Sequence, residues 1–193
     1  GRMIGLRHGV SLVLGSASPR RQELLARADI EFHVRPAEID ETPRDYEKPT
    51  EYVRRLSLEK SAAVIQGKEI VIAADTTVEV DGRLLEKPVD DVDAVAMLRM
   101  LSDRAHQVHT GVSIRSDSVV RSFVVSTTVV FVELTSQTIE WYVGTGEASD
   151  KAGAYGIQGA AAAFVERVDG SVTNVIGLPM AETLATLRVV ATS

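Results

Sequence analysis

The apolar run Ser11-Leu12-Val13-Leu14 stops at Gly15, and Ser18 followed by Pro19 opens a new element almost at once. An unbroken apolar run reads as a strand buried on both faces. Serine at the N-cap and proline at the first helical position read as a helix reaching about Ala28. A buried strand delivered into a helix through a loop of small residues is the junction that most narrows the fold, because both faces of such a strand need cover.

The alternation continues along the chain. Phe32 and Val34 alternate with polar neighbours and suggest a short strand. Thr50 is expected to cap a helix running to about Gln66, with Val53, Leu56, Ala63 and Val64 at helical spacing and Gly67 as its stop. Ile70 to Ala74 reads as a second buried strand, leading through Asp75-Thr76 into Val78-Glu79-Val80 and the turn signal Asp81-Gly82. Asp90 opens a helix with Ala94, Met97, Leu98 and Leu101 on its apolar face. Segments 106–115 and 119–133, separated by Asp117-Ser118, read as an antiparallel hairpin. Ser136 caps a short helix, residues 151–164 follow no simple period, a strand is expected near 162–168, and a last helix from about Pro179 to Val190. The antiparallel hairpin turns an α/β reading into one with a mixed central sheet flanked by helices. With 193 residues, a single domain over 1–193 is expected, with Gly1-Arg2 ahead of Met3 as a tag remnant.

Composition excludes some functions. The absence of cysteine removes disulfides, thiolate metal sites and cysteine nucleophiles. No run approaches the ~20 apolar residues of a membrane span, and the beginning lacks a signal-peptide stretch, so a cytoplasmic address and no membrane partner are expected. A net charge of −6 argues against a broad nucleic-acid surface. It leaves room for a small polyanion, which needs only a few cations in one place.

Three segments carry chemistry. Gly15-Ser16-Ala17-Ser18-Pro19-Arg20-Arg21 joins small residues to a helix start, where unpaired N–H groups attract anions. Two arginines in that first turn are disfavoured by roughly 0.3–1 kcal/mol each, and a bidentate phosphate would offset this. A capped surface helix with two solvated arginines is an equal reading of the loop alone. Asp75-Thr76 ends a buried strand, where α/β sheets gather ligands, and Glu86-Lys87-Pro88 lies beyond the turn. A carboxylate there can hold a hard cation or take a proton from water, although a turn aspartate and a surface lysine are the commoner outcome. Residues 146–159 are dense in glycine and contribute Lys151, the Tyr155 ring and the Gln158 amide. The bland alternative is a structural loop with Tyr155 in the core. His106 and His109 are three apart in a strand, face opposite sides, and receive no catalytic role.

In this order the segments resemble the Maf family of nucleotide pyrophosphatases. The matching stretches are Ser16 to Leu25, Ala74-Asp75-Thr76, Glu86-Lys87-Pro88, His106 to Val112, Asp150 to Gly159, and Asn174 to Pro179. Ile39-Asp40-Glu41 and Glu59-Lys60 add shorter signatures. The resemblance implies a Maf or inosine-triphosphatase-like α/β fold, bilobed with a cleft. It also implies hydrolysis of a nucleoside triphosphate to monophosphate plus pyrophosphate, a divalent cation (Mg²⁺ or Mn²⁺), and a homodimer. By position, Asp75 is the implied proton acceptor, with Lys60 and Lys87 beside it as catalytic cations. Ser16, Arg20, Arg21, Thr76, Lys151 and Gln158 become substrate-binding groups, and Asp75 and Glu41 metal ligands. The Asp150 to Gly159 block resembles the branch favouring dTTP and UTP, with modified pyrimidine nucleotides as further substrates. A glutamine amide can satisfy the N–H and carbonyl of a uracil or thymine edge together. Two alternatives stand beside this: a nucleotide-binding regulator of septum formation without turnover, and a phosphatase releasing orthophosphate.

Overall fold

The computed structural model describes residues 4–193, so Gly1 and Arg2 lie outside the described residues. In chain order the elements are β1 Ser11–Leu14, α1 Pro19–Arg27, β2 His33–Val34, α2 Pro49–Val64, β3 Glu69–Val80, β4 Arg83–Leu85 and α3 Asp91–Leu101. They continue with β5 Ala105–Arg115, β6 Val120–Phe131, α4 Ser136–Gly144, β7 Val165–Asp169, α5 Val172–Ile176 and α6 Met180–Ala191. The strands run in the order β2-β1-β3-β5-β6-β7, with β4 beside β3. Pairing is parallel from β2 to β3 and antiparallel at β3–β4 and β6–β7. The sheet is therefore mixed, as the hairpin signal required. No helix among the described residues is long and apolar enough to cross a membrane.

Contacts divide the chain into two compact units. One comprises the residues through Asp75, Thr110–Val125 and Gly177–Ser193; the other comprises Thr76–His109 and Ser126–Ile176. Three of these boundaries fall inside β3, β5 and β6.

In the first unit, β1 and β3 pair with Leu14 opposite Ile72, and Leu12 to Leu14 and Ile70 to Ala74 are all buried. Ser18 caps α1, its hydroxyl accepting from the Arg21 N–H at 3.4 Å, as expected. α2 begins earlier than expected, at Pro49 with Lys48 as its cap. Proline carries no N–H and a preset φ, so it occupies the first helical position and displaces Thr50 from the cap. The Glu51 carboxylate accepts from the Lys48 N–H at 3.3 Å. α2 lies so close to β5 that a Cβ on Gly111 would sit 2.2 Å from the Val53 carbonyl oxygen.

In the second unit, α3 and α4 bury Ala94, Met97, Leu98, Leu101, Ile139, Tyr142 and Val143. Phe131 sits edge-on to His106, Tyr155 and Phe164, with ring centroids 4.9, 4.7 and 6.0 Å away. Asp81 and Gly82 both take positive φ, 52° and 74°, as a type I′ hairpin turn requires. The cap of α4 is Thr135, one residue before the expected Ser136. Residues 152–154 and 160–164 form short 3₁₀ turns, which explains their lack of a helical or strand period.

Candidate active site

β1 ends where the Gly15 N–H donates to the Ile72 carbonyl at 2.8 Å. The loop beyond it folds around one hydroxyl. Ser16 Oγ accepts from the Ser18 N–H at 3.2 Å and from Arg21 Nη1 at 3.1 Å. Arg21 Nε also donates to the Gly177 carbonyl at 2.7 Å. Gly177 has φ +134°, a conformation glycine adopts readily and other residues rarely do. Two arginines in the first turn of α1 suggested an anion, and the protein itself supplies part of that balance. Desolvation lowers the Arg21 pKa, the Asp75 charge raises it, and Arg20 lowers it again. A guanidinium stays charged throughout. Arg20 is half-buried.

Asp75 is the residue to which this unit converges. It is buried within β3, at 8% exposure. Lys60 reaches it from α2, Nζ donating to Oδ1 at 3.0 Å. The same ammonium lies 2.9 Å from Glu41 Oε1. Oδ2 is buried and accepts no hydrogen bond. Burial raises the Asp75 pKa; Lys60, then Arg21, pull it down, and the net shift is upward. The site thus holds a desolvated carboxylate with one oxygen tied to a cation and the other open. Asp40 is committed to its own loop, Oδ1 accepting from the Thr42 N–H at 3.0 Å and the Thr42 hydroxyl at 2.6 Å, which leaves Glu41 as the carboxylate at Lys60.

The fold therefore brings Ser16, Arg21, Glu41, Lys60 and Asp75 together in one unit. Thr76, Lys87, Lys151 and Gln158 belong to the other. Thr76 follows Asp75 on β3 and points to the opposite face. Lys87 is exposed next to Glu86, whose Oε1 accepts from the Thr77 hydroxyl at 2.5 Å. Lys151 is half-buried, its Nζ donating to the Glu147 carbonyl at 2.7 Å and to Asp150 Oδ1 at 2.8 Å. Its stem lies over Gly156, where a Cβ would come within 2.5 Å of Lys151 Cε. Gln158 is exposed.

Tyr155 is a core residue rather than an offered aromatic face. It is 6% exposed, and its hydroxyl pairs with His106 Nε2 at 2.7 Å. The histidines do face apart: His109 hydrogen-bonds Ser126 Oγ at 2.6 Å and Glu79 Oε2 at 2.5 Å. Sequence reasoning missed Glu147, on which this loop is built. Its Oε1 accepts from the Tyr142 hydroxyl at 2.8 Å and its Oε2 from the Ala160 N–H at 3.3 Å. No local pattern marks that glutamate. It also missed the Gly177 carbonyl, which no side-chain motif could point to.

Asp75 Oδ2 and the Glu41 carboxylate are hard oxygen donors of the kind Mg²⁺ and Mn²⁺ take. Among the described residues no three acidic, histidine or cysteine side chains form a ready-made cage. Two carboxylates are a number that Mg²⁺ commonly takes from a protein.

Residues 11–190 match the family described as Maf-like protein, and the chain belongs to that family. A dTTP/UTP pyrophosphatase from Anaeromyxobacter dehalogenans is 51% identical over 181 residues, covering 92% of this chain and 92% of that protein. Proteins of the same name from Myxococcus xanthus and Bacillus cytotoxicus are 49% and 43% identical, covering 92% and 91% of this chain and 91% and 93% of their own lengths. Among solved structures, a HAM1 protein from Coxiella burnetii aligns with a TM-score of 0.47 at 16% identity, over 95% of this chain and 98% of that one.

Proposed function

We propose that the protein is a nucleoside triphosphate pyrophosphatase that hydrolyses dTTP and UTP to the monophosphate and pyrophosphate. The observation that carries this reading is Asp75, a buried carboxylate held through Oδ1 by Lys60 with Oδ2 unpartnered. Desolvation raises its basicity, the direction that favours a proton acceptor.

In this reading the triphosphate lies along the Ser16–Arg21 loop, where Arg20 and the start of α1 meet its charge. Asp75 Oδ2 accepts the proton of the water attacking the α-phosphorus. The bond from the α-phosphorus to the α,β-bridging oxygen breaks, and pyrophosphate carries away that electron pair. Lys87 offsets charge developing on the leaving group, while Lys60 keeps Asp75 oriented. A divalent cation at Asp75 and Glu41, when bound, supplies charge neutralisation to the phosphate oxygens. Positioning and electrostatics carry most of phosphoryl-type catalysis, so this set suffices. Arg20, Thr76 and the Gln158 amide are assigned to substrate choice, and the preference for pyrimidines is supported by the names of the relatives. A homodimeric, cytoplasmic protein of one domain belongs to the same reading.

The test incubates the protein with dTTP, UTP, CTP, GTP and N7-methyl-GTP plus Mn²⁺ and assays pyrophosphate and orthophosphate separately. Pyrophosphate from dTTP and UTP is expected, lost in Asp75→Asn. Orthophosphate as first product would replace the reading with a phosphatase, and bound nucleotide without turnover would replace it with a regulator.

A further inference from the structure

Glu41 stands in the middle of a long connection. Residues 35–48, between β2 and α2, contain no helix or strand. Its side chain is 55% exposed, yet its carboxylate meets Lys60 Nζ at 2.9 Å. An exposed ion pair contributes little to holding a loop in place. The loop must be held by something else.

That something is a stripe of α2. Tyr52, 2% exposed, donates its hydroxyl to the Glu41 carbonyl at 2.7 Å. Arg55 Nη2 donates to the Thr42 carbonyl at 3.2 Å. Arg55 also grips Glu47 at the far end of the loop, with Nε 2.6 Å from Oε2 and Nη2 2.9 Å from Oε1. The guanidinium lies 5.7 Å from the centre of the Tyr52 ring. Positions 52, 55, 59 and 60 fall at i, i+3, i+7 and i+8, one face of a helix. Lys60 is thus two turns along from Tyr52, about 12 Å on a rigid rod.

We infer that Tyr52 is a positioning residue of the active site: its hydroxyl fixes the backbone of Glu41 so that the carboxylate reaches Lys60 beside Asp75. The inference rests on the proposed role of Glu41, and its experiment separates the two. Tyr52 donates to the carbonyl of the residue whose carboxylate reaches the site, so its loss displaces that residue directly. Arg55 secures the residues that follow Glu41 in the same segment.

The experiment compares the parent protein, Tyr52→Phe, Glu41→Gln and the double variant, with Arg55→Lys as a second disturbance of the same loop. It measures kcat and KM for dTTP, the affinity of the nucleotide-free protein for Mn²⁺ by calorimetry, and thermal melting. Tyr52→Phe should lower kcat/KM about tenfold, the scale of one well-placed hydrogen bond. It should weaken Mn²⁺ binding in the same direction as Glu41→Gln, and the double variant should be no worse than Glu41→Gln alone. Arg55→Lys should move both quantities the same way by a smaller factor. Equal losses from Tyr52→Phe in the presence and absence of Glu41 would make the tyrosine a general stabiliser and overturn the inference. So would parent-like Tyr52→Phe beside an impaired Glu41→Gln. An unimpaired Glu41→Gln would remove the role of Glu41 and the positioning role with it, while pyrophosphate release by the parent continued to test the proposed reaction on its own.

Discussion

The charged cluster around Asp75 and the one around Glu147 differ in how their hydrogen bonds are spent. Around Asp75 one carboxylate oxygen is taken by Lys60 and the other, which is buried, is left open. Around Glu147 both oxygens accept, from Tyr142 and Ala160, and the ammonium of Lys151 is given to the Glu147 carbonyl and Asp150. A buried polar group normally finds its partners, and one that has not is costly to keep. In the proposed reading the open oxygen of Asp75 is held ready for a ligand, and the saturated carboxylate of Glu147 is scaffolding. Both clusters combine a lysine with nearby carboxylates; only the geometry tells them apart.

The sharpest way to break this contrast is Asp75→Asn. Removing a general base should cost roughly a hundredfold to ten-thousandfold in kcat. The folded-state pKa of Asp75 is raised, so the folded protein holds that proton more tightly than the unfolded chain. Ionised Asp75 therefore opposes folding at neutral pH, and this cost is relieved as pH falls through the folded value. The Asn variant should melt no lower than the parent at pH 7 while being inactive. In the parent, kcat/KM should fall on the acid side at a pH above the ordinary aspartate range. An inactive variant that also melts far lower would place Asp75 among the scaffold groups.

The second prediction concerns His106, in the unit of the saturated cluster. Burial, then the nearby Arg104 charge, bring its pKa down from 6.5 to about 4. As pH falls below 6.5 the unfolded chain takes up a proton that the folded one refuses. Stability contributed by neutral His106 is complete above that value and is lost progressively down to about pH 4. The loss amounts to about 3 kcal/mol, from 1.36 kcal/mol for each pH unit. Chemical denaturation at pH 7 and pH 4 should show that difference, and His106→Phe should shrink it by about as much. An undiminished difference would show that other groups govern the acid limb.

Much of this architecture was legible because its punctuation is chemical. Ser18-Pro19, Asp81-Gly82 and Asp90 each specify a backbone conformation locally, and each is found where expected. The errors share a cause. Thr50 and Ser136 stand one or two residues inside helices whose caps are Lys48 and Thr135, because a neighbouring proline or hydroxyl competes for the same position. α5, only five residues long, is too short to show a period. In the site, Asp75 and Lys60 could be nominated by resemblance, but their pairing joins a strand to a helix. The Arg21–Gly177 contact joins residues 156 apart, to a carbonyl that every residue possesses. Neither leaves a mark in the sequence.

Third in size is Glu147→Gln. It keeps the shape but replaces one acceptor oxygen by an N–H₂ group, so either the Ala160 N–H loses its acceptor or the Tyr142 hydroxyl must turn to accept from the amide, and in both cases the charged acceptor is lost. A hydrogen bond to a charged group contributes about 1.5–3 kcal/mol, so melting should fall by several degrees. A loop-building glutamate should leave kcat/KM for dTTP within a few-fold of the parent at temperatures where the variant is folded. Lost turnover with unchanged melting would move Glu147 into the reacting machinery and dissolve the contrast.

Lys151→Met is the smallest change and the finest discriminator. The methionine retains an unbranched apolar chain able to lie over Gly156, where the lysine stem now lies. It loses one hydrogen bond to a carbonyl and a contact with Asp150, whose side chain is 60% exposed. An ion pair with such a partner is screened by water and contributes little, so the carbonyl bond dominates, at about 1 kcal/mol. If the ammonium serves only the loop, the variant melts a few degrees lower and KM for dTTP is unchanged. If it also meets a phosphate, KM rises with the triphosphate but not with the monophosphate product as inhibitor, since only the former carries the extra charge. Measuring dTTP turnover and dTMP inhibition on the same variant therefore decides whether saturation by the protein's own groups excludes a second, ligand-directed role.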